Sequence, residues 1–102
     1  MRIIKEKFLR EAAEQYPKAA KYFAAWKTTV RGAAWRNLAE VRGCYGSADI
    51  VQVRSGRRAI VFNVCGNTYR LIVALHFNSQ VAYTLRFLTH AEYDRDDWKD
   101  EL

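Results

Sequence analysis

Residues 60–77 read Ile60-Val61-Phe62-Asn63-Val64-Cys65-Gly66-Asn67-Thr68-Tyr69-Arg70-Leu71-Ile72-Val73-Ala74-Leu75-His76-Phe77. β-Branched and aromatic residues dominate both halves, and Gly66-Asn67 between them is a two-residue hairpin signal. That turn sets Cys65 opposite Thr68 and Asn63 opposite Arg70. Side chains alternate along a strand, so a slip of one residue would bury Asn63 and expose Phe62. The hydrophobic pattern therefore selects the register. Working outward, strands are predicted at about 49–54, 57–65, 68–77 and 81–89, with a short one at 1–4. Ser55-Gly56 gives a second two-residue turn and Asn78–Gln80 a three-residue one. The latter sets Phe77 opposite Val81, Ile72 opposite Arg86, Arg70 opposite Leu88 and Thr68 opposite His90.

One predicted face collects Ile60, Phe62, Val64, Tyr69, Leu71, Val73, Leu75, Val81, Tyr83, Leu85 and Phe87, as a face covered by helices should. The other collects Asn63, Arg70, His76, Thr84, Arg86 and His90. The Ser55-Gly56 turn adds Gln52, Arg54 and Arg57 to it. The N-terminal half supplies the cover. Phe8, Leu9, Ala12, Ala13 and Tyr16 make one apolar helical stripe, and Tyr22, Phe23, Trp26 and Val30 make a second. Pro17 ends the first helix or opens the next, and Gly32 is a stop. Asn37 and Glu40 have capping-box spacing for a short third helix ending at Gly43. Aromatic residues at helical spacing read as core packing. The expected fold is α+β: two or three N-terminal helices packed on one face of a mainly antiparallel four- to five-stranded sheet, with residues 1–102 as one domain.

Half of the 102 residues are hydrophobic and 14% aromatic, which excludes a disordered chain. No apolar run is long enough for a transmembrane helix, and no secretory signal is expected behind Met1-Arg2-Ile3-Ile4-Lys5-Glu6. The final Lys99-Asp100-Glu101-Leu102 spells a retention address that lacks an entry signal, so a cytoplasmic location is expected. Cys44 and Cys65 have no metal-ligand spacing, and only His76 and His90 could join them. They read as buried or half-exposed free thiols, and neither metal nor cofactor is expected. The net charge is +6, and residues 92–102 carry six acids against two bases, so the basic excess lies in the remainder. A basic domain with this asymmetry suits a polyanion such as nucleic acid.

The predicted pairing makes Arg70 and Arg86 diagonal neighbours, with His90 ending the row and Tyr93 one helical turn beyond. Two adjacent guanidinium groups repel unless an anion lies between them, and arginine binds phosphate bidentately. RNA can be cut without metal when its own 2′-hydroxyl attacks the adjacent phosphate. That chemistry needs a proton acceptor, cations at the crowded phosphate and a proton donor for the leaving oxygen. Histidine suits proton transfer near neutral pH, arginine stays charged, and an aromatic ring or arginine can hold an unstacked base. Arg70, Arg86, His90 and Tyr93 are the catalytic candidates. Arg54, Arg57, Arg58, Asn63 and Asn67 are the RNA-binding candidates. Each has a structural alternative: His90 as a helix cap, Tyr93 as core, Arg70 paired with Asp94 or Glu92. His76, near the other end of the hairpin, reads as surface or structural.

Three stretches, Ile60-Val61-Phe62-Asn63-Val64, Gly66-Asn67-Thr68-Tyr69-Arg70-Leu71-Ile72 and Thr89-His90-Ala91-Glu92-Tyr93-Asp94, resemble the HigB family of toxins within the RelE superfamily. Met1-Arg2-Ile3-Ile4, Pro17, Trp26, Trp35 and Ser47-Ala48-Asp49 extend the likeness over nearly the whole chain. The resemblance implies an endoribonuclease toxin that cuts mRNA, usually during translation on the ribosome, and a cognate antitoxin protein that silences it. It also implies site roles for Arg70, Arg86, His90 and Tyr93. Relatives often carry lysine on the strand before the arginine, where this chain has Val61 and Asn63, so the general base falls to His90. Two alternatives stand beside the nuclease. A gyrase-directed toxin of the same fold would be expected to lack the arginine, histidine and tyrosine cluster. A non-catalytic RNA-binding module would be expected to carry a glycine-aromatic motif, and none is present.

Overall fold

The computed structural model describes residues 1–102. The chain runs β1 (Arg2–Ile4), α1 (Glu6–Gln15), a 3-10 turn (Pro17–Ala19), α2 (Ala20–Gly32), α3 (Leu38–Cys44), β2 (Asp49–Gln52), β3 (Arg58–Val64), β4 (Tyr69–His76), β5 (Val81–Thr89), α4 (His90–Asp94) and a second 3-10 turn (Asp97–Glu101). The strands form one open sheet in the order β1-β5-β4-β3-β2. The β1–β5 pair is parallel and the other three pairs are antiparallel. The α+β architecture expected above is therefore the one observed, with five strands and three N-terminal helices.

The helices form where their stripes lie. Leu9 and Ala12 of α1 and Phe23, Trp26 and Val30 of α2 are buried. They face Ile60, Phe62, Val64, Leu71 and Val73 in one core cluster. The Trp26 ring meets Phe62 edge-on at 5.7 Å, a favourable aromatic geometry. Pro17 opens the 3-10 turn that joins α1 to α2, where its missing N–H is harmless. Asn37 caps α3 by accepting from the Glu40 N–H at 3.0 Å. Glu40 does not close the box on Asn37; its carboxylate accepts from the Arg36 N–H at 2.7 Å.

The hairpin that decided the register is as read: Asn63 pairs with Arg70 and Val64 with Tyr69. Cys65 and Gly66, and not Asn67, take positive φ, and the reversal spreads over residues 65–68. The two outer hairpins differ from expectation. At the β2–β3 turn the Val53 N–H donates to Arg57 O, and Gln52 pairs with Arg58, so three residues form the loop. Gly56, at φ 87°, takes up the extra residue. This shift places Val51 and Val53, not Gln52 and Arg54, on the face that bears Asn63. In the β4–β5 pair, Ile72 lies opposite Arg86 as predicted, but Val73 lies opposite Thr84 and His76 opposite Val81. Leu85 is an extra residue, a bulge, and it reverses the facing of β5 from there to the turn. Ala82 and Thr84 consequently face the helices, while Leu85 packs on the other side. Thr84 is fully buried because its hydroxyl bonds to the carbonyls of Ile4 and Lys5 at 3.2 and 3.1 Å. Both cysteines are free and exposed, not buried.

Candidate active site

Alternation along β4 turns Arg70 away from the helices, and burial leaves it 8% exposed. Its guanidinium donates to Asn67 O at 3.2 Å, Asn67 Oδ1 at 2.5 Å and Tyr69 O at 3.1 Å. Its carbon lies 5.5 Å from the centre of the Tyr93 ring. None of these partners carries charge, and neither Asp94 nor Glu92 pairs with it. Arginine is rarely this buried without a carboxylate. Here neutral carbonyls hold it in place and leave its charge uncompensated. Asn67 therefore positions Arg70, a role that the three-residue spacing within one turn explains. Asn63, opposite Arg70 on β3, is half-buried.

α4 starts where a capping box starts it. Thr89 Oγ1 accepts from the Glu92 N–H at 3.2 Å, and the Glu92 carboxylate accepts from the Thr89 N–H at 2.9 Å. The Thr-x-x-Glu spacing signals this device in the sequence. The helix presents His90 and Tyr93 on adjoining positions. His90 Nδ1 lies 3.1 Å from Asp94 Oδ2, one turn on. A carboxylate on Nδ1 fixes the ring orientation and leaves Nε2 free to take a proton. The sequence reading missed Asp94 as the partner of His90; the i, i+4 spacing between them was the signal.

Tyr93 is half-buried and its ring stacks on Trp98 at 5.5 Å and 24°. Burial raises its phenol pKa above the ordinary value, and nearby Asp49 and Asp96 add to this, against Lys99 and Arg70. The phenol therefore keeps its proton and can donate it. Trp98, which the sequence reading left unassigned within the acidic tail, is 4% exposed and packs with Val53, Ala59, Val61 and Ile72. Its indole N–H donates to Tyr93 O at 3.1 Å. The tail is ordered: Lys99 O accepts from the Arg54 N–H at 3.1 Å.

Arg86 sits diagonally from Arg70 by register, yet the two guanidinium groups turn to different partners. Arg86 donates through Nε and Nη2 to Glu101 Oε2 at 3.3 and 3.1 Å, and through Nη1 to Leu85 O at 2.8 Å. A carboxylate thus holds the guanidinium that the sequence reading had set facing an anion beside Arg70. The expected basic row breaks further along. Arg54 lies in the β2–β3 turn, and Arg57 folds back to Ser55 Oγ at 3.3 Å. Arg58, one residue before the buried Ala59, alternates toward the helix side. Asn63 lies six positions beyond Arg57, about 20 Å at strand rise. The structure therefore gathers Arg70, Asn67, Asn63, His90, Asp94 and Tyr93 at one end, holds Arg86 under the tail, and sets the three hairpin arginines apart.

The chain is similar to known proteins over most of its length. The mRNA interferase toxin HigB of Escherichia coli K12 is 31% identical over 94 residues, covering 92% of this chain and 88% of the relative. The mRNA interferase HigB proteins of Escherichia coli O157:H7 and Shigella flexneri match to the same extent. The family model described as HigB_toxin, RelE-like toxic component of a toxin-antitoxin system, matches residues 19–96, which include the whole Arg70–Asp94 cluster. The chain belongs to the HigB family of RelE-like toxins.

Proposed function

We propose that this chain is an endoribonuclease that cleaves mRNA on the translating ribosome and that a cognate antitoxin protein neutralises it. The observation that carries the reading is Arg70: a buried guanidinium, fixed by Asn67, with no carboxylate to neutralise it. Beside it stand a proton acceptor, His90 oriented by Asp94, and a proton donor, Tyr93. In the proposed reaction the 2′-hydroxyl gives its proton to His90 Nε2 and its oxygen bonds to phosphorus. The bond from phosphorus to the 5′-oxygen breaks, and that oxygen takes the proton of Tyr93. The products are a 2′,3′-cyclic phosphate and a 5′-hydroxyl. Arg70 stabilises the charge that builds on the phosphoryl oxygens, and Arg86 joins it once Glu101 gives way. Side chains supply every proton and charge in this scheme, so no metal is required of it.

Induction of wild type, Arg70→Ala and His90→Ala in bacteria, with mRNA ends mapped, tests the assignment. Loss of an electrostatic donor at a transition state costs about 10²–10³-fold in rate. Both variants are expected to relieve growth arrest and to abolish the new mRNA ends. Variants that cut as the wild type does would remove the site. Growth arrest with intact mRNA would favour a different toxin target. Parallel assays on bare RNA and on translating ribosomes test the ribosome requirement, and EDTA added to the bare-RNA assay tests the metal requirement.

A further inference from the structure

A cleft of about 700 Å3 opens on the same sheet face as Arg70, toward the other end of the strands. Val53, Ala59, Ala74 and Leu85 line it, and Tyr83 and His76 flank it. The β5 bulge creates it: without the extra residue, Tyr83 and Leu85 would face the helices and Thr84 would face here. Arg57 borders the cleft, Leu102 also lines it, and no Asp or Glu lines it. The Lys5 ammonium lies 5.3 Å from the Tyr83 ring centre. Apolar lining, an aromatic ring and a cationic border together suit a flat, partly apolar group attached to an anion.

We propose that this cleft is a second nucleotide subsite, taking the base of an RNA residue that flanks the cleaved bond. The base lies against Tyr83, and its phosphate meets Arg57. The proposal rests on the ribonuclease reading above and extends it. Ala74 lies four positions beyond Arg70 along β4, about 13 Å, so a nucleotide in the cleft lies near the one at Arg70 on the same RNA strand. Size also favours a nucleotide over a protein segment. Pockets of about 300–1,000 Å3 suit small-molecule groups. A stable protein partner needs a patch of roughly 800 Å2.

The test uses a 2′-O-methyl RNA decamer, which lacks the attacking hydroxyl and stays intact. Its affinity is read by fluorescence anisotropy for wild type, Tyr83→Phe and Tyr83→Ala. Loss of one base–aromatic stack is worth roughly tenfold, so Tyr83→Ala should bind about tenfold more weakly while Tyr83→Phe matches wild type. AMP and UMP titrated into labelled wild-type protein should shift the amide signals of Ala59, Ala74 and Leu85. Unchanged decamer affinity in a folded Tyr83→Ala overturns the proposal. So do mononucleotide shifts confined to the surroundings of Arg70, or variants that lose only antitoxin binding. Should Tyr83→Ala fail to fold, the wild-type titration decides alone. If the wild type cuts no RNA, the ribonuclease reading falls, and the titration still reports whether the cleft holds a base.

Discussion

On the helix side of the sheet 17 buried residues form one cluster, whereas on the other side five do. The first face is sealed by three helices, and its aromatic rings interlock: Phe62 meets Trp26 at 5.7 Å and Tyr45 at 5.2 Å. The second face is covered by one short tail through one indole, Trp98. This difference explains how cations remain on the sheet. Burial under helices would strip water from Arg70 and Arg86 on every side, which an unpaired charge does not tolerate. Under a narrow cover, Arg70 keeps carbonyl partners and an open edge, and the stability of the fold comes from the opposite side.

The division can be broken most forcefully from the helix side. Phe62→Ala removes a fully buried ring from the large cluster and should destabilise by about 3–5 kcal/mol, enough to unfold a marginal domain. Chemical denaturation would measure it; a loss below 1 kcal/mol would mean that this cluster does not hold the fold. Trp98→Ala probes the smaller cluster. We expect a loss of about 2 kcal/mol, because the exposed side can relax into the space. The same change should also lower cleavage rate, since Tyr93 loses its stacking partner and an N–H to its carbonyl. Retained activity at full rate would separate Trp98 from the site. Glu101→Gln should do the reverse. The Arg86–Glu101 pair is partly solvated and worth no more than about 1 kcal/mol, so its removal should tighten RNA binding by up to about fivefold. That gain should shrink as salt rises. Weaker binding by the variant would show that Glu101 supports the site rather than competing for it.

The smallest effect expected is a titration. Burial raises the Tyr93 pKa, so the folded state favours the neutral phenol. Its contribution to stability is fully present below the unfolded tyrosine value of about 10 and fades as pH climbs through the higher folded value. Ultraviolet difference spectra of wild type and Tyr93→Phe should therefore differ only above pH 10. A phenolate signal from Tyr93 below that point would show that burial does not raise its pKa.

How much of this was legible in the sequence depends on how far each contact reaches. The β3–β4 hairpin was legible because alternation on both strands agrees with a short glycine turn, and any slip buries Asn63. The helices were legible because Phe23, Trp26 and Val30 share one side of a helical period. The outer hairpins were misread by one residue each. Gly56 accommodates three loop residues as readily as two, and nothing in Thr84-Leu85-Arg86 marks an insertion in the strand. At the site, Arg70 with Asn63, and His90 with Tyr93, follow from strand and helix periods alone. Asp94 and the Thr89–Glu92 cap follow from the same periods and were overlooked. Trp98 and Glu101 are different. Their positions are set by packing against β2, β3 and β5, distant in sequence, and an acidic tail has no period that announces where it docks.

The extra residue at Leu85 has a consequence for how the chain tolerates change. β5 behaves as two half-strands of opposite phase joined at that point. Every substitution between Val81 and Thr84 is judged by one pattern of inside and outside, and every substitution from Arg86 to Thr89 by the other. Deleting a single residue there would bring the halves into step and exchange Ala82 and Thr84 for Val81 and Tyr83 beneath the helices. The polar contacts of Thr84 with Ile4 and Lys5 would be lost together with the cleft. A gain or loss of one residue in β5 therefore has no small version, and the strand can drift in composition much more freely than in length.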